Sequence, residues 1–160
     1  MRTGWGFDAH RFAPSGGVLL AGVVADTDRG VAATSDGDVV AHAAADALLG
    51  GAALGDIGEL FPSSDPQWQD ADSMELLADV ARRVAAIGFS ISSIDVTVLA
   101  QSVRVAPHRE AIRRALAEAL GIDLDRVSCK ATTTDGLGFI GEDEGIAAVA
   151  VAVLDRGSAT

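Results

Sequence analysis

The segment from Gly145 to Leu154 limits the possible folds of this chain more than any other stretch. It has the sequence GIAAVAVAVL, in which alanine alternates with isoleucine, valine or leucine. Because successive side chains of a strand point to opposite faces of a sheet, both faces of this strand are apolar. The strand therefore lies in the centre of a sheet covered on both faces, or in a sheet whose second face is buried between subunits. The pattern alone leaves both alternatives open.

Hydrophobic spacing predicts a mixed α/β fold of the α+β sandwich kind, with helices on one face of a mixed sheet and a single domain over residues 1–160. Only 4% of the residues are aromatic, so the core is built from small aliphatic side chains. Helices are predicted over residues 38–53, 72–87 and 107–121, and strands over residues 2–9, 17–24, 91–100, 126–132 and 145–154.

Two further expectations concern the segments between these elements. The strand over residues 17–24 is expected to form a hairpin with the strand over residues 2–9. Residues 55–66 are dense in acids, glycines and prolines and show no periodicity. They are predicted to form a functional loop or to be locally disordered.

The net charge of −11, from 23 acidic and 12 basic residues, argues against binding to nucleic acid or to an anionic membrane. A phosphate ligand must therefore bring cations or find them on the protein. The sequence contains no apolar run of about 18 residues, and its N-terminus lacks the apolar region of a signal peptide. Together with the single Cys129, these features predict a soluble protein of the cytoplasm.

The motif GWGFDAH, near the start of the chain, places an acid and a histidine two residues apart. Asp8 lies near the end of the strand predicted over residues 2–9 and His10 directly follows it, so in extended backbone the two side chains point to the same side. With His42, early in the next predicted helix, they form a ligand set that suits a divalent metal, zinc first, with a fourth position open. The alternative is that His10 lies on a surface turn and His42 is satisfied inside its helix.

A threonine run passes into a glycine turn over residues 130–138. Exposed hydroxyl groups and free backbone N–H groups at such a turn can hold phosphate oxygens. The alternative is that the three threonines reflect only β-propensity and that Lys130, the single lysine of the chain, is a solvated charge.

Five separated motifs carry a resemblance to a known family. They are GFDAH at 6–10, SDGDVVAHA at 35–43, DALLG at 46–50, LGDIG at 54–58, and ATTT with the following GF and GEDEG within 131–145. In order and spacing they closely resemble the 2-C-methyl-D-erythritol 2,4-cyclodiphosphate synthase family over nearly the whole chain. The resemblance implies an α/β subunit in a homotrimer, whose sheets line the interior and whose active sites lie at the subunit interfaces.

The same resemblance implies an activity in isoprenoid precursor synthesis. The 2-phosphate of 4-diphosphocytidyl-2-C-methyl-D-erythritol 2-phosphate attacks the β-phosphate of the same molecule, which releases CMP and closes a cyclic diphosphate. Because the attack is intramolecular, positioning and charge neutralisation carry most of the catalysis. The implied cofactors are zinc, or another divalent transition metal, on Asp8, His10 and His42, and Mg²⁺ or Mn²⁺ at the diphosphate.

The resemblance also implies roles for individual residues. Thr34 and Ser35 are expected to contact the attacking phosphate, and Thr133 to stabilise the transition state. The other implied substrate-binding residues are Asp8, His10, Asp56, Ile57, Gly58, Phe61, Ser63, Asp65, Ala100, Arg104, Ala106, Ala131, Thr132, Thr134, Asp135 and Phe139. The segment from Ala100 to Ala106 corresponds to the cytosine pocket. Asp46, one turn after His42, either orients that ligand or makes a simple buried polar contact.

Three positions depart from the family pattern. Thr34 stands where most members have histidine, Ser63 replaces a common aspartate, and Glu142 replaces an arginine associated with binding a prenyl diphosphate inside the trimer. These departures leave two alternatives to the synthase. One is a catalytically weakened trimeric homologue that binds nucleotides, and the other is a zinc hydrolase that acts with water.

Overall fold

Seven β-strands and five α-helices form within residues 1–157, the part of the chain that this computed structural model describes. The strands are β1 (Arg2–Ala13), β2 (Val18–Leu20), β3 (Val23–Asp26), β4 (Gly30–Val31), β5 (Phe89–Leu99), β6 (Val127–Thr132) and β7 (Gly145–Arg156). The helices are α1 (Val39–Ala52), α2 (Ile57–Leu60), α3 (Ser73–Ala86), α4 (Arg109–Leu120) and α5 (Gly138–Gly141). The last three residues of the predicted domain, 158–160, lie outside the described residues.

The strand β7 occupies the centre of a five-stranded sheet formed within residues 1–157, in the order β4-β1-β7-β5-β6. β5 and β6 run parallel and the other pairs are antiparallel, so the sheet is mixed. On one face of β7, Ile146, Ala148 and Ala150 are fully buried, whereas Val149 and Val151 on the other face are partly exposed. The predicted fold class is thus confirmed, with helices on one face. The chain does not fully cover the second face of β7 within residues 1–157, so burial of that face between subunits stays a prediction.

Helix α1 lies very close to the sheet because β1 carries glycine at two positions beneath it. A Cβ atom built on Gly4 would lie 1.8 Å from Ala47 O, and one built on Gly6 would lie 2.1 Å from Ala43 O. α1 is itself rich in alanine and buried along most of its length. The small residues on both elements bring His42, in the first turn of α1, close to β1.

The ends of the long helices follow capping residues that the sequence offers. Asp38 is the N-cap of α1 and accepts hydrogen bonds from Val40 N and Ala41 N, both at 3.0 Å. Gly121 ends α4 in the left-handed conformation, with a φ of 64°. The predicted helix bounds are confirmed to within about two residues because caps act locally. No helix within residues 1–157 is both long enough and apolar enough to cross a membrane.

The pairing predicted for residues 17–24 is wrong. β2 pairs with β3 in a separate hairpin, while β1 pairs with β4 and β7. Ala21 and Gly22 form the turn of that hairpin with φ values of 51° and 73°, so the segment folds back on itself. The sequence reasoning treated a tight two-residue turn as part of one continuous strand.

The loop over residues 55–66 is more regular than predicted, because it contains α2. Asp56 is the N-cap of this helix and accepts a hydrogen bond from Glu59 N at 2.8 Å. A helix of four residues is too short to produce a hydrophobic period, so the sequence pattern could not reveal it.

Candidate metal centre and substrate clefts

Asp8, His10 and His42 bring three potential metal-ligand atoms together between β1 and α1. Asp8 Oδ2 lies 2.8 Å from His42 Nδ1 and 3.1 Å from His10 Nε2, and the two ring nitrogens are 3.3 Å apart. Ligand atoms about 2.1 Å from a tetrahedral ion lie about 3.4 Å from one another. The three atoms therefore fit one face of a tetrahedral site for a divalent metal.

Burial and mutual contact shift the ionisation of this cluster. Burial disfavours the Asp8 carboxylate, but hydrogen bonds with His10 and His42 outweigh it and hold the pKa of Asp8 well below its usual range. Burial also disfavours a charged His42 ring, but the hydrogen bond and charge of Asp8 outweigh it and raise the pKa of His42. The cluster thus favours positive charge next to Asp8, which protons or a divalent ion can supply.

A cleft of about 310 Å³ opens beside these ligands, and we call it the metal cleft. The predicted site residues that line it are His10, Thr34, Ser35, His42, Ile57, Gly58, Phe61 and Ser63. Trp68 also lines the cleft and packs edge-on against Phe61, with the ring centroids 5.0 Å apart. The metal cleft therefore combines the two histidines of the ligand cluster and four hydroxyl-bearing residues with an apolar aromatic wall.

A second cleft, of about 490 Å³, lies beside the end of β6, and we call it the β6 cleft. The predicted site residues that line it are Ala100, Arg104, Ala106, Ala131, Thr132 and Thr133. Arg109 also lines it, so two arginines and two threonines border one space. Such a combination suits a ligand that carries phosphate.

The two clefts lie far apart within one chain. Asp8 and His10 belong to β1, whereas Thr132 ends β6, and β7 and β5 stand between these strands. Neighbouring strands are about 4.8 Å apart, so the separation is roughly 14 Å. Leu99 pairs with both Thr132 and Ala147, and Ala147 pairs with Ala9, so the side chains of Thr132 and Ala9 lie on the same face of the sheet. Asp8, the neighbour of Ala9 on β1, points to the opposite face. The structure does not bring Thr133 together with the metal ligands of the same chain.

Six predicted site residues lie outside the lining of both clefts: Asp8, which joins the ligand cluster beside the metal cleft, and Asp56, Asp65, Thr134, Asp135 and Phe139. Asp56 and Asp65 cap the short turns that follow them. Thr134 Oγ1 donates a hydrogen bond to the carbonyl of residue 137, at 2.6 Å. Asp135 and Phe139 are exposed. Asp56, Asp65 and Thr134 are therefore held by local turns beside the clefts.

Sequence reasoning missed the residue that contacts the far side of the His42 ring. Ser73 Oγ, at the start of α3, lies 2.9 Å from His42 Nε2. Asp46 instead accepts a hydrogen bond from Ile57 N at 2.8 Å. This contact favours the role of a simple buried polar contact over that of orienting His42. Burial raises the pKa of the Asp46 carboxyl group. Ser73 and His42 are 31 positions apart, and no spacing rule connects them.

Arg29 is a second residue that no sequence pattern indicated. Its Nε lies 3.1 Å from Asp26 Oδ2, its Nη1 lies 2.8 Å from Asp143 Oδ2, and its Nη2 contacts Ser102 Oγ. Ser102 lines the β6 cleft. The guanidinium group therefore ties the β2-β3 hairpin to one side of that cleft.

Comparison with known proteins gives matches over nearly the whole chain. The model of the YgbB family matches residues 1–155. A 2-C-methyl-D-erythritol 2,4-cyclodiphosphate synthase from Cronobacter sakazakii is 51% identical over 159 residues, which are 99% of this chain and 100% of that relative.

Solved structures agree with the sequence matches. The bifunctional IspDF from Campylobacter jejuni has a TM-score of 0.94 and 45% identity over 97% of this chain, which spans 42% of that longer protein. A CDP-bound form of 2C-methyl-D-erythritol-2,4-cyclodiphosphate synthase has a TM-score of 0.88 and 34% identity, over 96% of this chain and 100% of its own. Fold and site define a mixed α/β protein with a candidate divalent-metal centre. The chain belongs to the YgbB family.

Proposed function

We propose that this chain converts 4-diphosphocytidyl-2-C-methyl-D-erythritol 2-phosphate to 2-C-methyl-D-erythritol 2,4-cyclodiphosphate and CMP, a phosphorus–oxygen lyase step of isoprenoid synthesis. An oxygen of the 2-phosphate bonds to the β-phosphorus, and the bond from that phosphorus to the α-phosphate oxygen breaks, so that CMP leaves. The convergence of Asp8, His10 and His42 beside the metal cleft carries this proposal. The name of a relative 51% identical along its full length supports it.

Asp8, His10 and His42 hold a divalent metal in this proposal, with zinc as the first choice because imidazole and carboxylate ligands suit it. When bound, the metal supplies a Lewis acid and a template for phosphate oxygens. A second divalent ion, Mg²⁺ or Mn²⁺, accompanies the diphosphate, because a chain of net charge −11 cannot neutralise three phosphate groups alone.

The metal cleft holds the half of the substrate that attacks. Thr34 and Ser35 line this cleft, and Ser35 Oγ lies 3.2 Å from His42 Nε2, so its hydroxyl group stands next to the ligand cluster. Both hydroxyl groups donate hydrogen bonds to the 2-phosphate and orient it for attack. The methylerythritol part is bound by Asp56, Ile57, Gly58, Phe61, Ser63 and Asp65.

The β6 cleft holds the cytidine half. Ala100, Arg104 and Ala106 bind the cytidine part, and Thr133 donates a hydrogen bond to the charge that develops during transfer. Ala131, Thr132, Thr134, Asp135 and Phe139 complete this half of the site. The two guanidinium groups of the cleft and the CDP-bound form of a relative support the assignment.

A homotrimer joins the two clefts across its interfaces. Within one chain, β7 and β5 separate the clefts, so a metal cleft from one copy is completed by the β6 cleft of a neighbour. The sheet face away from the helices also carries Trp5 and Phe7, which stack at 6.2 Å between centroids and are 63% and 44% exposed. Burial of this apolar pair between copies supports the assembly.

The test is to incubate the purified protein with zinc, magnesium and the cytidine diphosphate substrate, and to follow the products by phosphorus NMR. We expect CMP and the cyclic diphosphate to appear together, and neither to form in chelator-treated protein. Release of open-chain phosphates would instead indicate a hydrolase. Binding without turnover would indicate a weakened homologue, an alternative that the full-length synthase relatives do not favour.

Mixing two inactive variants tests whether the sites lie between copies. Asp8→Asn damages the metal cleft, and Thr133→Ala damages the β6 cleft. If one site needs both copies, a coexpressed equal mixture recovers roughly a quarter of the wild-type activity, because that fraction of interfaces joins two intact halves. Activity in the mixture no greater than the sum of the two separate variants would show that each chain completes its own site.

The predictions of domain number, location and ligand class made from the sequence remain part of the proposed function. The chain is one domain, it acts in the cytoplasm, and its ligand is a small molecule with no nucleic acid or membrane as partner. The net charge of −11 supports the last of these predictions.

A further inference from the structure

Ser73 and Asp36 form a hydrogen-bonded pair behind the candidate metal centre. Ser73 is 1% exposed, and its Oγ contacts Asp36 Oδ1 as well as His42 Nε2, the latter at 2.9 Å. Asp36 Oδ2 also accepts a hydrogen bond from Ser73 N at 3.0 Å, and Asp36 Oδ1 accepts one from Asp38 N at 3.2 Å. Capping does not explain the buried hydroxyl group of Ser73, because Asp72 is the N-cap of α3.

The directions of these hydrogen bonds follow from what each group can donate. A carboxylate only accepts, so the hydroxyl hydrogen of Ser73 points to Asp36. The lone pairs of Ser73 Oγ then face His42 Nε2, which must carry a hydrogen atom to complete the contact. In a neutral imidazole with hydrogen on Nε2, the lone pair is on Nδ1.

The lone pair on His42 Nδ1 is directed at the ligand cluster. Nδ1 lies 2.8 Å from Asp8 Oδ2 and 3.3 Å from His10 Nε2, so it is one of the three converging ligand atoms. We propose that Asp36 and Ser73 are positioning residues that fix the Nε2–H tautomer of His42 and present its Nδ1 to a divalent metal. This inference rests on the metal site of the proposed function.

The same arrangement separates the roles of two serines near one nitrogen. Ser35 Oγ lies 3.2 Å from His42 Nε2, and Ser73 Oγ is nearer, at 2.9 Å. A single N–H group forms one well-aligned hydrogen bond, and the buried Ser73, oriented by Asp36, receives it. The hydroxyl hydrogen of Ser35 therefore remains available for a phosphate oxygen.

The test is the zinc affinity of purified protein, measured by competition with a chromophoric chelator. Ser73→Ala is expected to bind zinc about 10- to 100-fold more weakly, as is typical when a metal-bound histidine loses its outer hydrogen bond. Ser35→Ala is the matched control: it removes a hydroxyl group near the same nitrogen and is expected to leave zinc affinity unchanged while cyclisation slows. Equal zinc affinity in Ser73→Ala and wild type, or equal losses in the two serine variants, would overturn the proposal.

A second variant tests whether the two residues act as a unit. Asp36→Asn is expected to weaken zinc binding, because an amide no longer forces the Ser73 hydroxyl hydrogen away from His42. The double variant Asp36→Asn/Ser73→Ala is expected to be no weaker than Ser73→Ala alone, since both changes act through one hydrogen bond. Additive losses in the double variant would contradict a shared role.

Proton NMR of zinc-loaded protein gives a readout that a merely structural role would not change. The His42 Nε2–H proton is expected as a downfield resonance protected from exchange in wild type and in Ser35→Ala, and to be lost in Ser73→Ala. Its absence from wild type overturns the proposal even if Ser73→Ala does not fold. A wild type that shows it but forms no cyclic diphosphate refutes the proposed reaction and leaves the positioning role intact. A wild type that binds no zinc refutes both.

Discussion

Replacement of Asp8 by asparagine is expected to weaken zinc binding by more than about a hundredfold and to slow cyclisation at least about a thousandfold. Asp8 Oδ2 is the atom that both histidines approach, at 2.8 and 3.1 Å. The asparagine side chain is neutral, and one end of it carries hydrogen atoms that would point at ring nitrogens. Loss of the metal removes about 4 kcal/mol or more of transition-state stabilisation, which corresponds to the predicted loss in rate.

Zinc titration and the phosphorus NMR assay check this prediction. Asp125→Asn makes the same chemical change at an exposed acid far along the chain and is expected to leave both measurements unchanged. Far-ultraviolet circular dichroism of Asp8→Asn separates loss of the metal from loss of the fold. An Asp8→Asn protein that binds zinc and cyclises the substrate like wild type would remove this cluster from the mechanism.

Replacement of Gly4 by alanine is expected to prevent stable folding. The added Cβ would lie 1.8 Å from Ala47 O and 2.5 Å from Gly51 N, and both of these atoms belong to the backbone of α1. Relief requires α1 to move away from β1, which opens a core in which Leu48 and Leu49 are fully buried. We expect a loss of more than about 4 kcal/mol in the free energy of unfolding, out of the roughly 5–15 kcal/mol typical of a native protein.

Urea unfolding and the yield of soluble protein measure this effect, with Gly50→Ala as the matched control. Gly50 lies in α1 itself, and a Cβ atom there would meet only Trp5 O, at 4.0 Å. Alanine favours a helix interior over glycine by about 0.5–1 kcal/mol, so Gly50→Ala is expected to be neutral or stabilising. A Gly4→Ala protein as stable as Gly50→Ala would mean that α1 does not pack on β1 at this distance.

The central strand shows how far a local pattern reaches. Two apolar faces over residues 145–154 predicted a strand covered on both faces, by the same chain or by another subunit, and helices cover one face of β7. Within the strand predicted over residues 91–100, Ile94, Val96 and Val98 alternate along β5, and all three are buried. Alternation along a strand records which side chains meet an apolar layer, but it does not tell whether that layer belongs to the same chain or to another copy.

The metal ligands show where local reasoning stops. Asp8 and His10 share a face of one strand, as their spacing requires, but the approach of His42 depends on the close packing of α1 over Gly4 and Gly6. The sequence offered His42 as the third ligand, but its alternative, a histidine satisfied inside its own helix, stayed open until the structure gave its distance to Asp8. Ser73 and Arg29 have no signature in the sequence, because their partners come from distant segments.

The sequence by itself determined the three long helices, the long strands and the identities of the candidate ligands, because periodicity, N-caps and C-terminal glycines act over a few residues. Only the tertiary structure decided that β2 pairs with β3, that Ser73 contacts His42, and that the metal cleft and the β6 cleft lie on separate sides of β7 and β5. These features depend on contacts between segments far apart in the chain. Their energies are set by packing and by the geometry of hydrogen bonds, which no local pattern records.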